Sequence, residues 1–167
     1  GFKTRLAELW NYERYGTPFK AGDRYFFLRN DGLQDQSVLY VTEALDAEPR
    51  ILIDPNGFSE DGTVSLARFN LSHYGTLIAY AQSDGGTDWT TWRVRDVATG
   101  KDLDDYIDHT KFTSVALAPG AQGFFYSRHP SDEDGSAKDD APCPRYFHRV
   151  AHVHCPGRVV GGEDAPR

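Results

Sequence analysis

The chain has 167 residues, 39% of them hydrophobic and 13% aromatic, which is enough for a packed core and too apolar for a disordered segment. Its 25 acidic and 18 basic residues give a net charge of -7 with no long basic block, so nucleic acid is not an expected partner. No apolar run reaches the roughly 18 residues of a membrane-spanning helix, and no charged-then-apolar leader opens the chain, so a soluble domain without a membrane partner is expected.

The opening Gly1-Phe2-Lys3 and the lack of any methionine suggest a natural beginning further upstream. Cys143 and Cys155 are too few for a disulfide framework, and the expected compartment is the cytoplasm, with the periplasm as the alternative.

Residues 4–15 carry Leu6, Leu9 and Trp10 at helical spacing, and Gly16-Thr17-Pro18 stops that pattern, so 1–16 reads as an entry segment with a short helix. From residue 17 the apolar period changes to two. Short runs rich in Val, Ile, Tyr and Phe predict strands at 24–29, 37–42, 50–54, 67–71, 77–82, 90–97, 102–107, 114–117, 123–128 and 145–150. Between them lie turn formers such as Asn30-Asp31-Gly32, Asp61-Gly62, Ser83-Asp84-Gly85-Gly86 and Pro119-Gly120. The polar stretch 131–144 reads as a long exposed hairpin loop, and 151–167 as a divergent tail that could form part of the next strand.

An internal repeat organises these strands. FNLSHYGTLIAY at 69–80 lays over VALAPGAQGFFY at 115–126 with an offset of 46 residues, matching Phe69 with Val115, Leu71 with Leu117, Ile78 with Phe124 and Tyr80 with Tyr126. A weaker copy, FKAGDRYFF at 19–27, sets Gly22 on Gly75 and Tyr25 on Ile78. A period of this size holding four short strands is what a propeller blade needs, since each small sheet hides its faces on its neighbours. The expected fold class is therefore all-β, a partial β-propeller of about two to three four-stranded antiparallel blades over 17–150, with an antiparallel sandwich as the rival arrangement.

Four phrases carry a resemblance to a known family: LAELWNYERYGTPFKAGDRYFFLRNDGLQDQSVLYV at 6–41, LIDPNGFSEDGTVSL at 52–66, SDGGTDWTTWRV at 83–94 and TKFTSVALAPGAQGFFYSRHP at 110–130. In order and spacing they resemble the N-terminal propeller of the prolyl oligopeptidase (prolyl endopeptidase) family, serine peptidases that cut short peptides after proline. The resemblance implies a seven-bladed propeller seated over an α/β-hydrolase domain, with this chain supplying the first blades. It implies a steric role, admitting short proline-containing peptides and keeping folded proteins from the active site. It also implies two site residues. Phe112 matches a propeller phenylalanine in the apolar subsite for the residue two before proline, and Asp88 matches an acid at the propeller–hydrolase interface. The segment 151–167 departs from the family's run, with a return to it expected at Glu163 to Arg167.

No catalytic residue can be assigned within the chain. A serine peptidase needs a nucleophile, a histidine held by a carboxylate, and an elbow of the Gly-x-Ser-x-Gly type, and no such elbow occurs. Ser72-His73 and Ser127-Arg128-His129 read as surface turn residues. Cys143, His148, His152, His154 and Cys155 cluster within 13 residues, but their spacing lacks two close ligand pairs, so no metal and no cofactor is expected. The competing functional class is a non-catalytic propeller-like interaction module whose blades assemble by oligomerisation.

Overall fold

The computed structural model describes residues 1–132, 134–138 and 142–150. The tail expected at 151–167 lies outside the described residues. The chain divides into two compact units, Gly1–Ser65 and Leu66 onward.

The first unit opens with helix α1 (Phe2–Trp10), which buries none of its residues and ends where Asn11 leaves helical dihedrals. The helical spacing read as far as residue 15 is cut short because Arg14 and Tyr15 find a sheet edge instead. They form β1 (Arg14–Tyr15), which pairs with the far end of β3 (Arg24–Asn30), while β2 (Phe19–Ala21) pairs with its near end. Both short strands thus share one edge of β3. Between them the Gly16 amide still donates to the Leu28 carbonyl at 2.7 Å, and Pro18, with no amide hydrogen, falls in the break. The sheet continues through β4 (Val38–Thr42) to β5 (Arg50–Ile53), all antiparallel. Phe26, Val38, Leu39, Val41, Leu52 and Ile53 are its buried apolar residues. Gly32 is obligatory in this unit: at φ 127°, a Cβ there would lie 2.7 Å from Asn11 Oδ1 and 2.8 Å from the Tyr12 amide.

The second unit begins with a sheet whose strands follow chain order, β6 (Ser65–Leu71), β7 (Leu77–Ser83), β8 (Trp89–Asp96) and β9 (Asp102–Lys111). A second sheet follows, built from β10 (Ala116–Leu117), β11 (Gly123–Ser127) and β12 (Arg145–Arg149). Neither sheet takes a strand from the other, which separates this arrangement from a Greek-key sandwich. The repeat read from the sequence is present in the backbone. Ser72 N–H donates to the Leu77 carbonyl at 2.9 Å, and 46 residues later Ala118 N–H donates to Gly123 at 2.8 Å.

One face of the four-stranded sheet meets the three-stranded one. Leu77, Ala79 and Ala81 of β7 alternate onto that face, with Val94 opposite Ala79 and Trp92 opposite Ala81. The two alanines leave room for the large Trp92 and Val94 side chains, and Ile107, Val115, Phe124 and Val150 complete the core. On the other face of β7, the Tyr80 hydroxyl donates to Asp102 Oδ2 at 2.9 Å. Arg95 grips the same carboxylate with Nε at 2.7 Å and Nη2 at 3.1 Å. Burial pushes the Tyr80 phenol up to about 12, against the lowering pull of Arg95.

Candidate functional site

The two site residues implied by the resemblance come together at one end of the β8–β9 ladder, opposite the 97–101 hairpin turn. Trp89 and Lys111 are directly paired there, with Asp88 just before one and Phe112 just after the other. Asp88 is an exposed carboxylate closing the 84–88 turn, which Gly85 and Gly86 make with positive φ. Phe112 is 75% exposed.

A bulge creates this geometry. Thr90 pairs with Thr110 but Trp92 pairs with Ile107, so β9 carries one more residue than β8 across that span. Within it His109 takes φ 53°, and past the strand end Phe112 takes φ 50°; these are the non-glycine positive-φ residues among the described ones. Each left-handed residue costs about 1–2 kcal/mol, a strain the surrounding structure must hold in place. It is held by Thr90 and Thr110, whose hydroxyls lie 2.8 Å apart and also reach each other's carbonyls. Strand β9 was expected to stop at Ile107. The bulge carries it to Lys111, and Asp108-His109, two polar residues that break the alternation, was the signal available.

A polar seam joins β9 to the elements that follow it in the chain. His148 Nε2 lies 2.6 Å from Asp105 Oδ1, and the Asp105 side chain is only 2% exposed. Arg128 Nη2 donates to Asp108, and His109 Nδ1 lies 2.9 Å from Ser131 Oγ. The His129 amide donates to the His109 carbonyl at 2.9 Å, and the His129 ring meets Trp89 edge-on at 5.3 Å. Arg128 and His129, read from sequence as plain turn residues, therefore tie the connection after β11 to the β8–β9 ladder. Their partners lie about twenty residues or more away in sequence, beyond the reach of local patterns.

The seam cannot act as a nucleophilic triad. Asp108 at 3.8 Å and Ser131 at 2.9 Å both approach the same nitrogen of His109, so the ring cannot pass a proton from one to the other. Ser72, beside His73, is buried and caps its turn, accepting from the amides of Thr76 at 3.1 Å and Leu77 at 3.0 Å. Among the described residues no group of three or more His, Cys, Asp or Glu side chains is arranged to hold a metal ion. His148 is engaged by Asp105 and Cys143 is exposed, with its thiol raised by partial burial. His152, His154 and Cys155 lie outside the described residues.

Sequential small antiparallel sheets on a common 46-residue frame define a segment of β-propeller. Known proteins carry this further. The sequence model of the prolyl oligopeptidase N-terminal β-propeller domain matches residues 2–150. A prolyl endopeptidase of Elizabethkingia miricola is 38% identical across 99% of this chain and 24% of its own length. A prolyl oligopeptidase of Dendrothele bispora is 35% identical across 87% of this chain and 23% of its own. Among solved structures, one from a study of two prolyl endopeptidases and their inter-domain dynamics superposes with a TM-score of 0.80 and 30% identity, over 89% of this chain and 22% of that one. Prolyl oligopeptidase B of Galerina marginata, bound to a 35mer hydrolysis and macrocyclization substrate, superposes with a TM-score of 0.75 and 25% identity, over 89% of this chain and 24% of that one. The chain belongs to the prolyl oligopeptidase family, within its N-terminal β-propeller domain, and spans about a quarter of the length of these relatives.

Proposed function

We propose that the chain is the propeller portion of a serine endopeptidase that hydrolyses short peptides after proline. It gates access to an active site whose serine, aspartate and histidine lie outside it. Phe112 lines the apolar subsite for the residue two before proline, where a stiff aromatic surface binds at low entropic cost. Asp88 faces the hydrolase domain and pairs there with a basic residue. The expected partners are short proline-containing peptides and the α/β-hydrolase domain, in the cytoplasm, with no cofactor. The observation that carries this reading is the convergence of Asp88 and Phe112 on one strained ladder end, flanking the Trp89–Lys111 pair.

The test places residues 2–150 in the Elizabethkingia miricola prolyl endopeptidase, in place of its own matching segment. The exchanged enzyme is expected to cleave a chromogenic peptide ending in proline and to spare a folded protein with an exposed proline. Cleavage of the folded protein would overturn the gating role. The 167-residue chain alone is expected to be inactive, and turnover by it that responds to serine-directed inhibitors would overturn the placement of the catalytic residues.

The Phe125 and Phe147 rings, 4.8 Å apart and both exposed, favour a second reading in which copies of the chain assemble through that face. A discrete multimer by mass measurement would support it over the first.

A further inference from the structure

We propose that Lys111 is a positioning residue whose ammonium, shared between two aromatic rings, fixes the orientation of Phe112. This rests on the reading of Phe112 as a subsite wall and assigns a residue that controls it.

Consecutive residues on an extended strand point to opposite faces, so a lysine does not ordinarily meet the side chain that follows it. The left-handed turn at Phe112, φ 50°, breaks that alternation and brings its ring within reach of Lys111. The Lys111 ammonium lies 5.5 Å from the Phe112 ring centroid and 5.1 Å from that of Trp89, both inside the distance at which a cation is held by a ring face. Cross-strand pairing sets Trp89 opposite Lys111, and the edge-on His129 ring, just past the end of β11, meets Trp89 from the other side. The chain of support therefore runs His129, Trp89, Lys111, Phe112. Within this chain packing contributes little to that orientation, because three quarters of Phe112 is open to solvent. Lys111 orients the ring without touching a substrate, and its effect falls on affinity for peptides with a bulky apolar residue two before proline.

Two measurements test this. In the exchanged enzyme, KM and kcat are measured on Phe-Gly-Pro and Gly-Gly-Pro chromogenic peptides for Phe112→Ala, Lys111→Met and Lys111→Arg. Lys111→Met is expected to raise KM for the Phe peptide about 3- to 10-fold with little change in kcat, and Lys111→Arg, which keeps a cation over the rings, to restore most of it. If Phe112→Ala raises that KM and Lys111→Met does not, the positioning role is overturned and the subsite reading stands. If Phe112→Ala has no effect, the subsite reading fails. The second measurement is independent of activity: in NMR spectra of the 167-residue chain, ring currents should move the Lys111 ε-methylene protons upfield, and Trp89→Leu should reverse much of that shift. Lys111 signals at their ordinary position in the wild-type chain would overturn the inference.

Discussion

The two ends of the β8–β9 ladder are built on opposite terms. At the hairpin end, three adjacent strands are locked by a buried phenol, a bidentate guanidinium and one carboxylate: Tyr80, Arg95 and Asp102. At the other end two residues sit in left-handed conformations and a phenylalanine stands in solvent. The first end spends its polar groups on stability. The second stores strain and exposes apolar surface, which a fold tolerates where surface is to be used. The contrast teaches that within one blade the anchored end can carry an end free to meet something else.

Substitutions can break this contrast, the strongest being at the ladder's middle. Trp92→Ala removes the largest fully buried side chain and should cost about 3–5 kcal/mol in urea unfolding, leaving both ends without their common core. At the anchored end, Asp102→Ala removes the acceptor shared by the Tyr80 hydroxyl and Arg95 and should cost about 1–3 kcal/mol by the same measurement.

The anchored end also has a pH signature. The folded-state Tyr80 phenol lies at about 12, above its ordinary value of 10.0, so the native state keeps a proton that the unfolded chain has released. That contribution is complete below pH 10 and is lost as pH rises towards 12, with a slope of at most about 1.4 kcal/mol per pH unit. Stability measured from pH 9 to 12 should therefore fall more steeply for wild type than for Tyr80→Phe, and parallel curves would refute the assignment.

The smallest effect is expected at the strained end, and with the opposite sign. Phe112→Gly relieves the left-handed backbone and should leave stability unchanged or raise it by up to about 1 kcal/mol. A loss larger than that would mean the ring supports the fold.

These regions were unequally legible in the sequence. The central strand was readable because Leu77 to Ala81 form an unbroken apolar run, buried on both faces, with turn formers on either side. The pair β1 and β2 was not, because Pro18 splits one edge into pieces too short to show a period. At the site, resemblance pointed to Asp88 and Phe112, but their proximity depends on a register that the bulge at His109 resets. Lys111 was invisible for the same reason, since its reach to Phe112 exists only once the strand's alternation fails. The Asp105–His148 contact bridges 43 residues and belongs to tertiary structure alone.

One detail of the backbone frame bears on how such a domain changes over time. The Thr76 carbonyl accepts from Val97 and the Gln122 carbonyl from Val150, closing the two sheets in the same way although the second closure encloses seven more residues. The connection from Ser127 to Arg145 absorbs the added length outside the strand ladders. Inserted residues there meet little resistance from loop-closure entropy, which grows only slowly with length. Beyond the Arg128, His129 and Ser131 contacts with the preceding sheet, that hairpin is accordingly where a tag or recognition sequence could be grafted while the neighbouring sheets keep their alignment.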